Sequence, residues 1–468
     1  MATQEHSAEA DSRRITCLLL LLLFFTTAAS KSIVKTLPGF SGDLPFKFET
    51  GYVSVGERDD VQLFYYFIES EKNPLKDPLV LWITGGPGCS AFSGLVYEKI
   101  GPLAYDVPAF NGGLPTFLLN PYSWTKFANI IFVDTPVGTG FSYSTTSEGY
   151  YSSDTKTVKD TYSFLRKWLL DHPNFAEHNL YIAGDSYSGL LIPLIVSEIS
   201  NANEEGHMPH MSLRGYVIGN PVTDLHNDEN SKIPYAHRMG LISDEYYEGA
   251  KSSCQGEYVD PDPNNAQCIY YLRLIEECKG KLNEAQILEP RCGSTWGHRF
   301  FEDISSDVLF LSSQQEEMWC RKYGYILSYI WANDPTVQQA LHIRKGTKTE
   351  WRRCNKTLAF DEDVTNVVEY HQFLSRKGYQ ALIYSGDHDM VIPYIGTLEW
   401  INSLNLTVDD NWRPWFVDGQ VAGYTEKYRH YEFALTFATI MGAGHTATQY
   451  KTKQCFAMVE RWFSQYQL

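Results

Sequence analysis

One short turn constrains the fold of this chain more than any other segment: Gly184-Asp185-Ser186-Tyr187-Ser188-Gly189. The mostly apolar run 179–183 before it is typical of a buried strand, and the apolar run 190–199 after it is typical of a buried helix. A serine on a sharp strand-to-helix turn exposes its hydroxyl above the sheet, and such a turn needs small neighbours. The segment therefore predicts a nucleophile elbow at Ser186, although a lone serine-glycine motif is also found in ordinary turns.

The composition indicates a globular protein on the secretory route. The chain has 468 residues, 43% hydrophobic and 20% charged, and its formal net charge of −17 does not favour a nucleic-acid partner. Residues 1–30 resemble a signal peptide, because Arg13-Arg14 precede an apolar run that ends at Phe25 and Ala28-Ala29-Ser30 fits a cleavage site. This apolar run of 11 residues is too short to span a bilayer. We therefore expect no membrane helix; a retained signal anchor is the alternative.

The cysteines and the glycosylation sequons agree with that route. Of the nine cysteines, Cys17 lies in the signal peptide and eight remain. An even number in a secreted chain is typical of disulfides, but their connectivity does not follow from spacing. Four of the eight lie between residues 254 and 292, which predicts a stapled segment with a small core. Two N-x-S/T sequons predict N-glycosylation at Asn355 and Asn405.

Strand-like and helix-like segments alternate along much of the chain. The predicted strands are 51–55, 61–68, 79–83, 129–133, 179–183, 215–219, 381–384 and 433–437. The predicted helices are 155–170, with Asp154 as its N-cap, 190–199 and 454–466. This alternation predicts an α/β fold with a mostly parallel central sheet covered by helices on both faces.

The alternation stops in a charged, Cys-rich region that follows the strand at 215–219. We interpret residues 222–330 as a cap or lid inserted into the α/β core. The predicted organisation is therefore a signal peptide (1–30), a first core part (31–221), the insertion (222–330) and a second core part (331–468).

Three polar residues follow predicted strands in the order serine, acid, histidine. They are Ser186, Asp389 after 381–384, and His445 after 433–437. Ligands gather at the carboxyl ends of parallel strands, and this chain order is that of the α/β hydrolases. We predict Ser186 as nucleophile, His445 as general base and Asp389 as the acid that orients it, with Asp387 as the competing acid. Taken singly, either acid also fits a loop carboxylate and His445 also fits a structural histidine.

An acyl intermediate needs hydrogen-bond donors for its oxyanion. The backbone N–H of Tyr187 directly follows the nucleophile, and the Gly-rich turn 85–88 can supply a second N–H, for which we predict Gly86. The alternative role for that turn is close packing of the backbone.

Five longer motifs resemble the serine carboxypeptidase family over residues 35–468: Trp82-Ile-Thr-Gly-Gly-Pro-Gly-Cys-Ser90, Gly138-Thr-Gly-Phe-Ser-Tyr143, Gly184–Gly189, Gly386-Asp-His-Asp389 and Gly442-Ala-Gly-His445. The resemblance implies an α/β-hydrolase fold with a helical insertion, no metal or cofactor, the Ser186–Asp389–His445 triad and an oxyanion hole formed by Gly86 and Tyr187. By matching position it implies disulfides Cys89–Cys354, Cys254–Cys268 and Cys292–Cys320, and it leaves Cys278 and Cys455 unassigned.

The sequence departs from the peptidases of this family at two substrate-binding positions. Those peptidases carry Asn-Gly-Gly-Pro-Gly and Gly-Glu-Ser-Tyr-Ala-Gly, whose Asn and Glu bind the free carboxylate of the substrate. Here these positions are Thr84 and Asp185. Threonine has no amide N–H and aspartate is shorter, so we expect the carboxylate clamp to be weakened, with Thr84, Gly85 and Asp185 lining the substrate site.

Thr84, Asp185, Ser188 and His445-Thr446-Ala447 are similar to the plant serine carboxypeptidase-like acyltransferases, although Thr448 and Thr452 stand where that group usually has proline. These enzymes move an acyl group, typically phenolic, from a 1-O-β-glucose ester to an alcohol. The resemblance implies an acyl-glucose donor, an alcohol acceptor and a vacuolar or extracellular location. The alternatives are a serine carboxypeptidase or an esterase, and a non-catalytic binding protein.

Overall fold

The computed structural model describes residues 30–291 and 321–468. Residues 1–29 of the predicted signal peptide and the predicted Cys292–Cys320 disulfide lie outside these residues. The strands are β1 Ser30–Thr36, β2 Asp43–Val55, β3 Val61–Ile68, β4 Leu79–Ile83, β5 Leu103–Tyr105, β6 Phe117–Leu119, β7 Asn129–Val133, β8 Tyr143–Ser144, β9 Ser152–Ser153, β10 Leu180–Asp185, β11 Leu213–Gly219, β12 Phe360–Asp361, β13 Gln380–Gly386, β14 Thr407–Val417, β15 Gln420–His430 and β16 Phe433–Ile440.

The α-helices are α1 Phe92–Val96, α2 Asp154–Asp171, α3 Ser188–Glu204, α4 Leu225–Asn230, α5 Lys232–Arg238, α6 Asp244–Cys254, α7 Ala266–Lys279, α8 Arg321–Asn333, α9 Pro335–Ala340, α10 Val368–Leu374, α11 Tyr394–Ser403, α12 Ala447–Tyr450 and α13 Thr452–Phe463. Within the two described ranges, no helix has the length and apolar character needed to cross a membrane.

A single large sheet organises the described chain. Its strand order is β1-β2-β3-β7-β4-β10-β11-β13-β16-β15-β14, with β8 paired to β3. The six central strands, β7 to β16, are parallel, whereas both flanks are antiparallel. The carboxyl ends of β4, β10, β11, β13 and β16 therefore meet at one edge of the sheet, where the predicted site residues follow.

Hydrophobic side chains alternate between the two faces of this sheet. Trp82 and Ala183 belong to a buried cluster on one face, and Ile83 and Ile182 belong to a second cluster on the other. Because both faces are covered, the central strands are apolar throughout, as parallel strands in α/β proteins are. The α/β fold class expected from the sequence is confirmed.

The described part of the predicted insertion is helical and has a small core of its own. Helices α4 to α7 surround a cluster that includes Tyr235, Ile275 and Ile287. The Cys254–Cys268 disulfide joins the last residue of α6 to the first turn of α7. A covalent link compensates for the limited apolar area that such a small cluster can bury.

Two sequence expectations about local structure need correction. Asp154 is the first residue of α2 and not its N-cap; Ser153 caps the helix by accepting the Lys156 N–H at 3.2 Å. The strand expected to begin near residue 51 begins at Asp43. The first turn of α2 therefore contains an acidic side chain that is free for another contact.

Backbone contacts at Gly184 fix how closely β10 approaches β4. A Cβ atom at Gly184 would lie 2.2 Å from the Ile83 carbonyl oxygen and 2.4 Å from Ser188 Oγ. Neither neighbour is the end of a flexible side chain on the surface, so one of the two backbones would have to move. Glycine is therefore required at this position by the packing of the two strands.

We predict that Gly184→Ala lowers the free energy of unfolding by about 3 kcal/mol or more, since overpacking here displaces backbone. Thermal unfolding of purified protein measures this loss. Gly113→Ala is the matched control, because its Cβ would meet only the Asn111 side chain at 3.3 Å in an exposed loop. Equal melting temperatures for the two variants would contradict the prediction.

Candidate active site

Ser186 lies on the turn between β10 and α3, in a left-handed backbone conformation with φ of 57°. Such a conformation costs a non-glycine residue about 1–3 kcal/mol and occurs mostly at functional sites. Its backbone N–H donates to Gly219 O at 2.9 Å, which ties the turn to β11. The Ser186 hydroxyl lies 2.7 Å from His445 Nε2.

Asp389 completes a chain of hydrogen bonds that begins at Ser186. His445 Nδ1 lies 2.9 Å from Asp389 Oδ2, and Asp389 is fully buried. The second carboxylate oxygen, Oδ1, accepts the Val391 N–H at 2.8 Å. The arrangement allows His445 to take the Ser186 proton while Asp389 holds the imidazole and stabilises its charged form.

The competing acid, Asp387, has a different neighbour. Its Oδ1 accepts the backbone N–H of Gly442 at 2.7 Å, which links the loop after β13 to the loop after β16. The structure thus brings Asp389 and not Asp387 against the imidazole of His445.

The predicted insertion helps to hold the histidine. His445 N donates to Ala285 O at 2.7 Å, and Gln286 Nε2 donates to Gly442 O at 3.2 Å. On the acid side, Met390 N donates to Glu284 O at 2.8 Å. Residues 284–286 therefore contact the loops that carry both the acid and the base.

The pKa of His445 results from opposing effects. Burial lowers it, but the charge and hydrogen bond of Asp389 and the charge of Asp185 raise it more, so the net pKa lies above the usual value. The side chain is 16% exposed, which leaves it accessible to a small substrate. The raised pKa means that this site stabilises the imidazolium form of His445.

The turn after β4 approaches Ser186 closely. A Cβ atom on Gly85 would lie 2.8 Å from Ser186 Cβ and from Tyr187 N. Gly86 has a φ of 133°, which glycine adopts without strain. Within the described residues, neither Gly86 N–H nor Tyr187 N–H donates a hydrogen bond, so both are available to a ligand.

The three predicted substrate-binding residues line this same turn and the end of β10. Thr84 Oγ1 accepts a hydrogen bond from the Trp82 indole N–H, with an Nε1–Oγ1 distance of 3.1 Å. Asp185 is buried, and its Oδ1 lies 3.4 Å from Gly85 N. Burial raises the pKa of Asp185 to about 6, although the charge of His445 acts in the opposite direction. Asp185 is therefore an acceptor that is largely ionised at neutral pH.

A second buried carboxyl group, Glu98, accompanies Asp185. Burial and the charge of Asp185 hold the pKa of Glu98 well above its usual range. Its Oε2 has no hydrogen-bond partner among the described residues. The guanidinium of Arg353, stacked 3.9 Å from the Tyr325 ring centre, lowers the pKa of both carboxyl groups by its charge.

Sequence reasoning missed Glu98 and one further buried residue of the site, Asn220. Asn220 Nδ2 donates to Asp389 Oδ2 at 2.8 Å. Its position directly after β11 was an available signal, since the other site residues also follow strands. Glu98 had no such signal, because it lies beyond α1 and only the folded chain brings it to Asp185.

The remaining sites expected from the sequence have separate outcomes. The disulfides Cys89–Cys354 and Cys254–Cys268 are present. Asn405 is exposed, whereas Asn355 is half-buried and its Nδ2 donates to Gly138 O at 3.1 Å; glycosylation of either stays a prediction. In the part of the chain that the structure describes, no group of three or more His, Cys, Asp or Glu side chains is arranged as a metal site.

Comparisons with known proteins agree with this geometry. The model of the serine carboxypeptidase family matches residues 38–465 of this chain. Serine carboxypeptidase-like 2 and serine carboxypeptidase-like 1 of Arabidopsis thaliana are 47% and 48% identical over 435 residues, which cover 93% of this chain and 93% of each relative.

A crystal structure of a prohormone-processing carboxypeptidase from Saccharomyces cerevisiae is similar in fold, with a TM-score of 0.71 and 20% identity over 93% of this chain and 95% of that one. This likeness confirms the expected α/β-hydrolase fold and carries no conclusion about substrate. On the family match and the identity of its plant relatives, the chain belongs to the serine carboxypeptidase family.

Proposed function

We propose that this protein is an acyltransferase that moves a phenolic acyl group from a 1-O-β-glucose ester to an acceptor hydroxyl through an acyl-Ser186 intermediate. The surroundings of Thr84 and Asp185 carry this proposal. The peptidases that the sequence resembles place an amide and a longer acid there to bind a free carboxylate. Here the Thr84 oxygen accepts a hydrogen bond from Trp82, and Asp185 keeps an acidic group on a shorter side chain. A glucose ester has no free carboxylate and offers hydroxyl donors that Asp185 can accept.

The acylation step uses the hydrogen-bonded chain of three residues. His445 Nε2 takes the proton of Ser186 as the oxygen attacks the ester carbonyl carbon, and Asp389 stabilises the resulting imidazolium. The N–H groups of Gly86 and Tyr187 bind the oxyanion. When the carbon–oxygen bond to glucose breaks, His445 returns the proton to the leaving sugar oxygen, and the acyl group remains on Ser186.

Transfer then requires an acceptor that competes with water. His445 deprotonates the acceptor hydroxyl, which attacks the acyl carbon and releases Ser186. Because water is present at roughly 55 M, an acceptor must be bound and oriented, which can raise its effective concentration to about 10⁵ M or more. We assign the wall of this site to the described part of the insertion, residues 222–291 and 321–330, whose segment 284–286 contacts the His445 loop.

The proposed route to the cell exterior or the vacuole follows from residues 1–30 and the two sequons. We propose the vacuole as the destination, as the resemblance to the plant acyltransferases implies. The proposed partners are the small-molecule donor and acceptor, without nucleic acid or a metal cofactor.

The first test supplies acyl glucoses with mixed alcohols and, separately, a blocked dipeptide, with products detected by mass spectrometry. We expect ester transfer to exceed dipeptide cleavage, and Ser186→Ala to reduce transfer by at least about 10³-fold. Efficient dipeptide cleavage without any transfer would instead identify a carboxypeptidase, and full activity of Ser186→Ala would exclude an acyl-serine route.

A paired substitution tests the residues that carry the proposal. We expect Thr84→Asn with Asp185→Glu to increase the ratio of dipeptide cleavage to acyl transfer by ~10-fold or more, because it restores an amide donor and the longer acid. Thr84→Val removes the hydroxyl without adding a donor, so it should not increase dipeptide cleavage. An unchanged ratio in the paired variant, with its melting temperature preserved, would contradict this prediction.

The pH dependence of acylation follows from the raised pKa of His445. Only the neutral imidazole accepts the Ser186 proton, so the acylation rate should rise with pH and be half-maximal above the usual histidine value of 6.5. Asp389→Asn removes the charge that stabilises the imidazolium and should shift this midpoint to lower pH while also reducing the rate. Fluorophosphonate labelling of Ser186 across pH 5 to 9 measures both; a midpoint that does not move would refute the assignment.

A further inference from the structure

The side chain of Tyr187 is held by a buried carboxylate that the proposed mechanism does not use. Tyr187 OH donates to Asp154 Oδ1 at 2.9 Å, and both residues are buried. The other oxygen, Asp154 Oδ2, accepts the backbone N–H of Val364 at 3.1 Å. Burial raises the pKa of Asp154 to about 6, and the hydrogen bonds from Tyr187 and Val364 oppose this rise. At neutral pH the carboxylate is largely ionised, so the bond from Tyr187 is charge-assisted.

Val364 ends a segment, residues 353–364, that we call the strap. At its other end the strap is attached to the turn that carries Gly86. Cys354 forms a disulfide with Cys89, and the N–H of the next strap residue donates to Gly88 O at 2.9 Å. One continuous segment therefore contacts both turns from which the two free N–H groups come.

The middle of the strap is also anchored. β12 pairs in parallel with β9, and the Phe360 ring meets the Tyr187 ring edge-on at a centroid distance of 6.4 Å. The backbone of Ser152 donates to Ala359 O at 2.9 Å. The strap thus lies against the start of α2, where Asp154 is located, and has no long unsupported stretch between its two attachments.

We propose that the strap and Asp154 set the separation of the Gly86 and Tyr187 N–H groups, with Asp154 and the Tyr187 hydroxyl acting as positioning residues for acyl transfer. This inference rests on the proposed function, because it takes those two N–H groups as the oxyanion donors. The donor of Tyr187 belongs to the peptide that joins it to Ser186, whose carbonyl oxygen accepts the N–H groups of Gly189 and Val222 at 2.9 and 3.0 Å. Anchoring the Tyr187 side chain adds a further restraint on rotation of that peptide.

The physical consequence appears in the transition state. A displaced donor weakens its hydrogen bond to the oxyanion, which exists only as the carbonyl is attacked, while binding of the ground-state ester is little affected. A residue that merely stabilised the fold would lower the melting temperature without this selective effect on rate.

Tyr187→Phe keeps the ring contact with Phe360 and removes only the hydroxyl. We expect kcat for acyl transfer to fall about tenfold with KM within about twofold of the wild-type value. Fluorophosphonate labelling should slow by the same factor: Ser186 Oγ bonds to phosphorus, fluoride leaves, and the hydroxyl proton passes to His445. Tyr151→Phe is the matched control, because it removes a hydrogen bond to Asp361 at the exposed face of the same strap. The control should change neither rate.

Asp154→Asn tests the acceptor of the Tyr187 hydrogen bond, and its labelling rate tests the proposal if Tyr187→Phe fails to fold. The pair is expected to be non-additive, so the double variant should lose no more than the more affected single variant. An unchanged labelling rate in both single variants would overturn the inference. So would a double variant whose fold-loss in rate equals the product of the two single fold-losses. If the wild type is labelled but transfers nothing from acyl glucoses, the proposed function fails, and the labelling comparison still decides the role of Asp154.

Discussion

The left-handed backbone of Ser186 is the constraint on which the rest of the site depends. It is tolerated because three glycines let neighbouring backbones pack against the turn: a Cβ on Gly184, Gly189 or Gly85 would lie 2.2, 2.4 or 2.7 Å from a backbone oxygen. The strain of about 1–3 kcal/mol is offset by the hydrogen bonds and packing around the turn. The same close approach that permits the turn also brings Gly85, which precedes Gly86, against Ser186 Cβ and Tyr187 N. The packing of the strands therefore also sets the geometry of the site.

The positions of His445 and Asp389 also depend on contacts with the insertion. Residues 284–286 hydrogen-bond to the loops after β13 and β16, and Gly444 allows this contact because a Cβ there would lie 2.1 Å from Ala285 O. The position of His445 relative to Asp389 is therefore set partly by a segment outside the α/β sheet. Changes in residues 284–286 can therefore alter the hydrogen-bonded chain of Ser186, His445 and Asp389.

The sequence predicted the parallel core and the three polar residues at its carboxyl edge because buried strands are apolar throughout and each site residue lies in the turn or loop that follows one. It did not predict β14 and β15. Many of their positions are exposed, and the edge strand β14 carries polar residues such as Asp409 and Asn411, so these strands give little hydrophobic signal. Asp154 was assigned as a helix cap for the right local reason, but its carboxylate is engaged by Tyr187 and Val364, and Ser153 caps instead. Such choices depend on contacts between distant segments, which periodicity does not encode.

The electrostatics beside the nucleophile connect the fold to the choice of substrate. Glu98 and Asp185 are buried together, and burial and the charge of Asp185 hold the pKa of Glu98 well above its usual range. The charge of Asp185 raises the pKa of His445 and so stabilises the imidazolium. In the proposed reaction, a neutral ester with hydroxyl groups can also donate to this carboxylate. Asp185 thus fits the proposed chemistry in two ways, by stabilising the imidazolium and by accepting hydrogen bonds from the donor.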